Sequence, residues 1–371
     1  MRSEPSWKKP GAQPEFFKHK SKHKEAFYIT MGKIRIGLMG LGRIGRQIFN
    51  LAYQDDSFEV AAISDVGRPE ILHHLLAKHM GQKNPVALDG KFLVTDKGKT
   101  RLLEADKPGE IPWDVFGVDY VIDATAKFRR ASELAPHLDN GAKRVISTVL
   151  PEDDLDRVIL FGVNEDEAMT SDSLVSAGSA STTATAHVLA TILAKYGLHH
   201  ASMTSVHAYT SDQSLQDYAG PDYRRSRSGA ENIIPNQSPA AKWVQKIVPE
   251  MRGKFSAYAL NVPVQIGSLL DMTLMVEDES VSAEDITDLF DLAAAENPDL
   301  FATTDDPIVS SDVKGATQSL VIDKAATLKA GTNIIKLLGW HESNGHARRV
   351  LDIIRHYSQL DAVAENKKED S

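Results

Sequence analysis

The stretch from Lys33 to Asp65 constrains the fold of this chain more than any other. Ile34-Arg35-Ile36-Gly37-Leu38-Met39 is a short apolar run of strand type, Gly40-Leu41-Gly42-Arg43-Ile44-Gly45-Arg46 follows it, and an apolar helical segment runs from Ile48 to Ala52. In such a unit the first glycine permits a tight turn and the second lets backbone N–H groups approach a pyrophosphate. The third lets the helix pack closely on the strand. The helix N-terminus then offers its dipole to the phosphates. A second apolar run, Phe58 to Ile63, ends in Ser64-Asp65, and Asp65 stands 20 positions after Gly45, where a carboxylate binds the adenosine ribose hydroxyls. The glycine pattern alone is weak. With the second strand and the acid it predicts a dinucleotide site formed by Gly40, Gly42, Arg43, Ile44, Gly45 and Asp65. The acid favours NAD over NADP, whose 2′-phosphate would meet a like charge, while the nearby Arg68 argues the other way. Further strand-like runs at Tyr120 to Thr125 and Arg144 to Ser147 extend a doubly wound parallel sheet.

A chain of 371 residues suits two domains, each with its own core. Its net charge of −9 gives no global reason to expect nucleic acid or an anionic membrane as partner. No apolar stretch reaches the roughly 20 residues of a membrane span, so the expected location is cytoplasmic. The absence of cysteine fits that compartment and removes disulfides and thiolate metal sites altogether. Residues 1–30 read as a disordered basic extension, with Lys8, Lys9, Lys18, Lys20, Lys22 and Lys24 and no apolar periodicity. It is Lys-rich and carries Glu4, Glu15 and Glu25, unlike a mitochondrial presequence; Met31 is an alternative start. Residues 363–371 read as a polar tail. His73, His74 and His79 have helical spacing but no acidic partner in register, and read as a solvated helix face, so no metal is expected.

From about Lys33 to Leu360 the chain resembles the phosphorylating glyceraldehyde-3-phosphate dehydrogenase family. The resemblance rests on the glycine run, on Asp123-Ala124-Thr125-Ala126 where the family has E-S-T-G, and on Gly141 to Ser147 matching GAKRVIIS. It continues through Phe161-Gly162-Val163-Asn164, Val206-His207-Ala208-Tyr209-Thr210, Asn232-Ile233-Ile234-Pro235 and Val309-Ser310-Ser311-Asp312. It implies an N-terminal Rossmann domain (31–179 plus 345–362) closed by the C-terminal helix, and a catalytic-type α+β domain on a mixed sheet (180–344). A tetramer is implied as well. Thr125 and Ser147 join the cofactor-binding candidates through these matches.

The family's chemistry needs a thiolate at the start of a helix beside an imidazole. Here the region reads Ser176-Ala177-Gly178-Ser179-Ala180-Ser181-Thr182-Thr183. Matching the Thr-Thr pair puts Ser181 at the nucleophile and requires two compensating indels. A gapless match puts Ala180 there, Ser179 on the preceding serine, and keeps the 27-position separation from His207, the family's base. The gapless register is preferred because a packed helix has a fixed period. Ser181 is then a stand-in for threonine, and no nucleophile remains.

The anion sites show the same loss. Asn261 stands where an arginine precedes Val-Pro in the family, and Pro239 removes a backbone N–H from the loop that keeps Ser238. Thr210, Asp212 and Arg225 remain at matching positions, so a small phosphorylated metabolite stays a candidate ligand. Arg224, Arg225 and Arg227 equally suit pairing with acids at a subunit interface. Asn344 is the candidate amide for the nicotinamide carboxamide, in a segment one residue shorter than the family's, and His346 replaces a tyrosine. The expected function is therefore an NAD-binding relative of the family without phosphorylating dehydrogenase activity, acting as a binding, regulatory or partner subunit. It would form a homotetramer or a mixed tetramer with a competent paralogue. The alternatives are an NAD-dependent oxidoreductase on a different aldehyde or related substrate that uses His207 without a thioester, and a Ser181/His207 acyl hydrolase.

Overall fold

A computed structural model of the protein describes residues 32–210 and 213–369. The basic extension at 1–30 and the anion-site candidate Asp212 lie outside the described residues. The first sheet contains β1 (Ile34–Met39), β2 (Phe58–Ser64), β3 (Ala87–Asp89), β4 (Phe92–Thr95), β5 (Gly98–Leu103), β6 (Tyr120–Asp123), β7 (Arg144–Ser147), β8 (Arg157–Val158) and β9 (Leu174–Ser176). Their spatial order is β3-β4-β5-β2-β1-β6-β7-β9-β8. The pairs are parallel except for the antiparallel meander β3-β4-β5 at one edge. From β1 the chain moves to β2 on one side and later returns to β6 on the other. The order therefore reverses between β1 and β6, and ligands of open α/β sheets bind beyond the strand ends at such a reversal.

The apolar runs of β1 and β6 become strands because both faces are covered. Helix α1 (Arg43–Gln54) buries Ile48, Phe49 and Leu51 on this sheet, and α2 (Pro69–Met80) buries Leu72, Leu76 and Met80. Pro69 opens α2 at the position where a missing N–H costs nothing. On α2, His74 and His79 are exposed and His73 Nε2 meets the Val86 carbonyl at 2.9 Å. Among the described residues no group of three His, Asp or Glu is placed to hold a metal ion.

The second sheet contains β10 (Leu198–Ala208), β11 (Ile234–Gln237), β12 (Phe255–Val262), β13 (Ser268–Val276), β14 (Phe301–Thr304), β15 (Leu320–Ala330) and β16 (Ile334–His341). Its order is β11-β12-β10-β13-β16-β15-β14, and it is mixed, with β10–β12 and β14–β15 parallel and the other pairs antiparallel. Burial alternates strictly along β13, so one face packs and the other does not. The packed face is covered by α3 (Ala180–Tyr196), α4 (Ala240–Ile247) and α5 (Ala283–Glu296), which share one core with Leu270, Met272 and Leu274. Helix α3 is buried without interruption from Thr182 to Ile192, which explains its weak amphipathic pattern of alanine and threonine.

The last helix, α6 (Ser343–Glu369), returns to the first domain, where Ala347, Val350, Leu351, Ile354 and Tyr357 join the core of the parallel sheet. It begins two residues before the expected boundary at 345. It also runs through most of the expected polar tail at 363–371. Ala362 is still buried, Lys143 reaches Glu365 at 3.2 Å, and the terminal sequence has no glycine or proline to stop the helix. Arg144 fixes the helix from β7. Its guanidinium donates to the Asp172 carbonyl at 2.6 Å and to Asp361 at 2.8 Å, and stacks 4.1 Å from the Tyr357 ring.

Candidate functional site

The glycine turn lies at the reversal point, and each glycine has a separate physical reason. Gly40 has φ +92, a left-handed conformation that other residues adopt only at a cost. A Cβ on Gly45 would stand 2.1 Å from the Gly40 carbonyl oxygen, so α1 can approach β1 only without a side chain there. Gly42 differs: its φ of −68 suits any residue, and a Cβ would meet no protein atom within 4 Å. Protein packing does not demand glycine at 42, and the open space beside it leaves the turn's backbone accessible from outside. Asp65 faces this turn from the end of β2. One of its oxygens accepts the Leu41 N–H at 2.7 Å and the other the Gly67 N–H at 2.8 Å, which fixes the carboxylate beside the crevice. Arg43 and Ile44 open α1, and Arg46 folds back to the Leu41 carbonyl at 3.0 Å. Thr125 lies two residues beyond the end of β6, its backbone nitrogen 3.0 Å from the Cβ position a side chain on Gly40 would take. Ser147 ends β7 and is buried; its Oγ is 3.4 Å from both the carbonyl and the N–H of Val149, and its carbonyl accepts the Ala177 N–H at 2.9 Å.

At the mouth of the second domain, Ser179 caps α3. Its Oγ accepts the Thr182 N–H at 3.3 Å and lies 2.8 Å from the Thr182 hydroxyl. Ala180 is the first helical residue and Ser181 the second. Ser181 Oγ approaches Ser179 Oγ at 3.5 Å, and there is no hydrogen bond between Ser181 and His207 among the described residues. His207 lies near the end of β10. Its Nδ1 is 2.6 Å from the Ala208 carbonyl, which can only accept, so Nδ1 carries the proton and Nε2 presents a lone pair. Burial pushes the His207 pKa down; the Ala208 carbonyl pulls it partly back, and the Arg43 cation lowers it further. Arg43, at the start of α1 beside the glycine turn, thus lies near enough to His207 for its charge to act on the imidazole.

Two further histidines lie here. His341, ending β16, has its ring 6.1 Å from that of His207, and burial first, then the His207 and His346 charges, push its pKa down to about 3. Its Nε2 is buried without a partner. His346 on α6 donates from Nε2 to the Thr148 carbonyl at 2.8 Å, and burial lowers its pKa too.

Several polar groups of the anion-site candidates have partners within the protein. Asn261 is the register partner of His207 on the adjacent strand and accepts a hydrogen bond from the Asn236 amide. Ser238 Oγ accepts the Ala240 N–H at 3.3 Å at the start of α4, with Pro239 between them. The Thr210 N–H goes to Gln213 Oε1 at 2.9 Å, and the Arg225 N–H to Asp222 at 2.8 Å. Of the neighbouring arginines, Arg227 pairs with Asp217 at 2.7 Å and Arg224 reaches the Tyr258 hydroxyl at 3.4 Å. Asn344 donates its side-chain amide to the Gly315 carbonyl at 2.9 Å, tying the start of α6 to the loop between β14 and β15.

Comparison with known proteins decides the family. Residues 34–131 match the model for the NAD binding domain of glyceraldehyde 3-phosphate dehydrogenase, and residues 179–343 match that for its C-terminal domain. Glyceraldehyde-3-phosphate dehydrogenase from Priestia megaterium is 36% identical over 330 residues, covering 87% of this chain and 98% of the relative. The chain belongs to the glyceraldehyde-3-phosphate dehydrogenase family. Similar relatives include glyceraldehyde-3-phosphate dehydrogenase 1 from Bacillus subtilis, 33% identical over 86% of this chain and 97% of the relative. Glyceraldehyde-3-phosphate dehydrogenase from Borreliella burgdorferi is 34% identical, covering 86% of this chain and 98% of the relative. The first domain is this family's NAD-binding domain, and the glycine turn with Asp65 fits that cofactor. The C-terminal match begins at Ser179, the cap of α3, and ends at Ser343, where α6 begins. The glycine turn, Asp65 and His207 stand out in the sequence, whereas the packing of His341 against His207 does not. A histidine ending the last long strand was the available signal. The burial of Trp113 and His137 against Asp123 is likewise hidden, since no local pattern joins them. Among the described residues no helix is long and apolar enough to cross a membrane.

Proposed function

We propose that this chain is an NAD-binding member of the glyceraldehyde-3-phosphate dehydrogenase family that no longer carries out phosphorylating oxidation and serves as a binding, regulatory or partner subunit. The observation that carries this reading is the alanine at the first position of α3, in a chain without any cysteine. Ser179 takes the cap and Ser181 is turned toward it, so neither hydroxyl is activated by His207. That geometry gives no support to a Ser181 hydrolase. The neutral Asn261–Asn236 pair beside His207 supplies no cation for a substrate phosphate.

The glycine-turn N–H groups, Asp65 and Thr125 would hold NAD, which supplies a hydride acceptor when bound. The neutral His207, with its free Nε2 lone pair, favours one second reading: general-base oxidation of an alcohol or hydrated aldehyde without a covalent intermediate. Titration with NAD followed by assays with glyceraldehyde 3-phosphate and simple aldehydes, with and without phosphate, separates the two. Binding without formation of reduced cofactor is expected. Turnover abolished by His207→Asn would establish the second reading instead.

The loop between β10 and β11 leaves Leu215, Tyr218, Tyr223 and Ile233 exposed, Tyr223 at 97%. Such apolar exposure fits an interface with a second copy or a paralogue. Native mass spectrometry showing only a monomer would count against any assembly, and only a self-tetramer against the mixed one.

A further inference from the structure

Strand β6 ends in Asp123, 1% exposed, on a strand whose other residues are apolar or aromatic. A carboxylate buried so deeply needs partners. Its Oδ1 accepts both the N–H of Thr125 at 3.0 Å and the Thr125 hydroxyl at 2.7 Å. Its Oδ2 faces His137 Nε2 at 3.5 Å, long for a hydrogen bond, yet neither atom has a closer polar partner and His137 is 0% exposed. The other side of that imidazole is settled by Trp113, also 0% exposed, whose indole N–H donates to His137 Nδ1 at 2.9 Å. An indole nitrogen only donates, so Nδ1 is the acceptor and the ring proton sits on Nε2, aimed at Asp123. Three buried side chains are thus aligned as donor, relay and acceptor, and the last of them grips Thr125.

Thr125 begins the turn at the β1/β6 reversal, against Gly40. Its hydroxyl hydrogen is committed to Asp123, and one Oγ1 lone pair takes the Lys127 N–H at 3.1 Å. What Thr125 offers the crevice is the remaining lone pair, an acceptor suited to a sugar hydroxyl and not to a phosphate oxygen. The next residue, Ala126, has φ 58 and is the one non-glycine with positive φ among the described residues. Strain of roughly 1–3 kcal/mol at such a residue persists only where the surroundings over-determine it.

We infer that Trp113, His137 and Asp123 are positioning residues for the dinucleotide, which hold Thr125 as an acceptor for one of its ribose hydroxyls. This rests on NAD binding in the crevice. Calorimetric titration of the full-length protein with NAD tests it. Thr125→Ser and His137→Gln keep the bonds, since a glutamine oxygen can accept from Trp113 while its amide donates to Asp123. Both are expected to bind within about twofold of wild type. Thr125→Val and His137→Leu should each weaken binding roughly five- to tenfold, and the double variant should bind no more weakly than Thr125→Val. Should His137→Leu fail to fold, Asp123→Asn, which sets a donor against the His137 N–H, serves in its place. Losses that multiply in the double variant would mark a general packing effect and overturn the inference, as would wild-type affinity in His137→Leu. A wild-type protein that does not bind NAD would overturn the cofactor reading itself.

Discussion

Gly42 and Gly45 are two residues of one motif, yet replacing them with alanine should do opposite things. At Gly45 the new methyl would lie 2.1 Å from a backbone oxygen of Gly40, about 1 Å inside contact, and a carbonyl in a tight turn cannot rotate away. Helix α1 must lift off β1, at a cost of about 1–3 kcal/mol or more. At Gly42 no protein atom is within 4 Å and φ is −68. Alanine is a poorer N-cap than glycine by roughly 0.5–1 kcal/mol, and this is offset by about 0.4–1 kcal/mol of lost unfolded-chain entropy. Gly42→Ala should therefore melt within about 3 °C of wild type, at about 2–4 °C per kcal/mol for a domain of this size. Its methyl would nevertheless occupy the space of approach to the turn's N–H groups. Losing one or two hydrogen bonds to a charged phosphate, about 1.5–3 kcal/mol each, weakens NAD binding at least about tenfold. Melting by scanning fluorimetry with and without NAD, combined with titration calorimetry, reads both quantities. A Gly42→Ala protein that binds NAD with wild-type affinity would refute the assignment of this turn to the pyrophosphate, and one that unfolds would refute the packing analysis.

Placing a thiol at each candidate position tests the register. Cys introduced by Ala180→Cys should alkylate faster than one introduced by Ser181→Cys, in a His207-dependent manner, because a thiolate is favoured at a helix start beside an imidazole; the reverse order would assign Ser181 to the nucleophile position. Asn261→Arg should create a phosphate-dependent rise in melting temperature that wild type lacks, since it returns a cation to the strand beside His207. His207, His341 and His346 all have folded pKa values below the ordinary 6.5. Their contribution is complete above about pH 6.5 and is lost as pH falls toward the folded values, by up to about 1.4 kcal/mol per pH unit for each histidine still neutral in the fold. Denaturant midpoints should therefore drop between mildly alkaline and mildly acidic buffer, and His341→Phe should flatten that slope. Arg144→Ala should cost about 3–5 kcal/mol by stranding Asp361 in the core, measurable as a large loss in melting temperature.

What could be read in the sequence was what depends on neighbours along the chain. The turn Gly40 to Gly45 and the apolar runs that became β1, β2, β6 and β7 are local, since backbone geometry and side-chain period act within a few residues. Asp65 was legible because one strand and one helix fix its distance from the turn. The meeting of His207 with His341 was not, because two strands from distant parts of the chain bring them together across β13. Nor was Asp123 with His137 and Trp113, where the partners come from a strand end, a short helix and the loop preceding β6. The end of α6 was misjudged because its polar composition resembles a tail, while its anchors, Arg144 and Lys143, lie more than 200 residues earlier.

The return of α6 to the first domain also governs the order in which this protein can be made. Ile354 and Tyr357 fill the core formed by Ile48, Phe49 and Ile122, so the parallel sheet is assembled by β9 but left without part of its cover. A ribosome must synthesise the whole second domain before that cover emerges. The cofactor domain, first to be translated, is therefore the last to close, and the second domain has the opportunity to fold while its predecessor still waits.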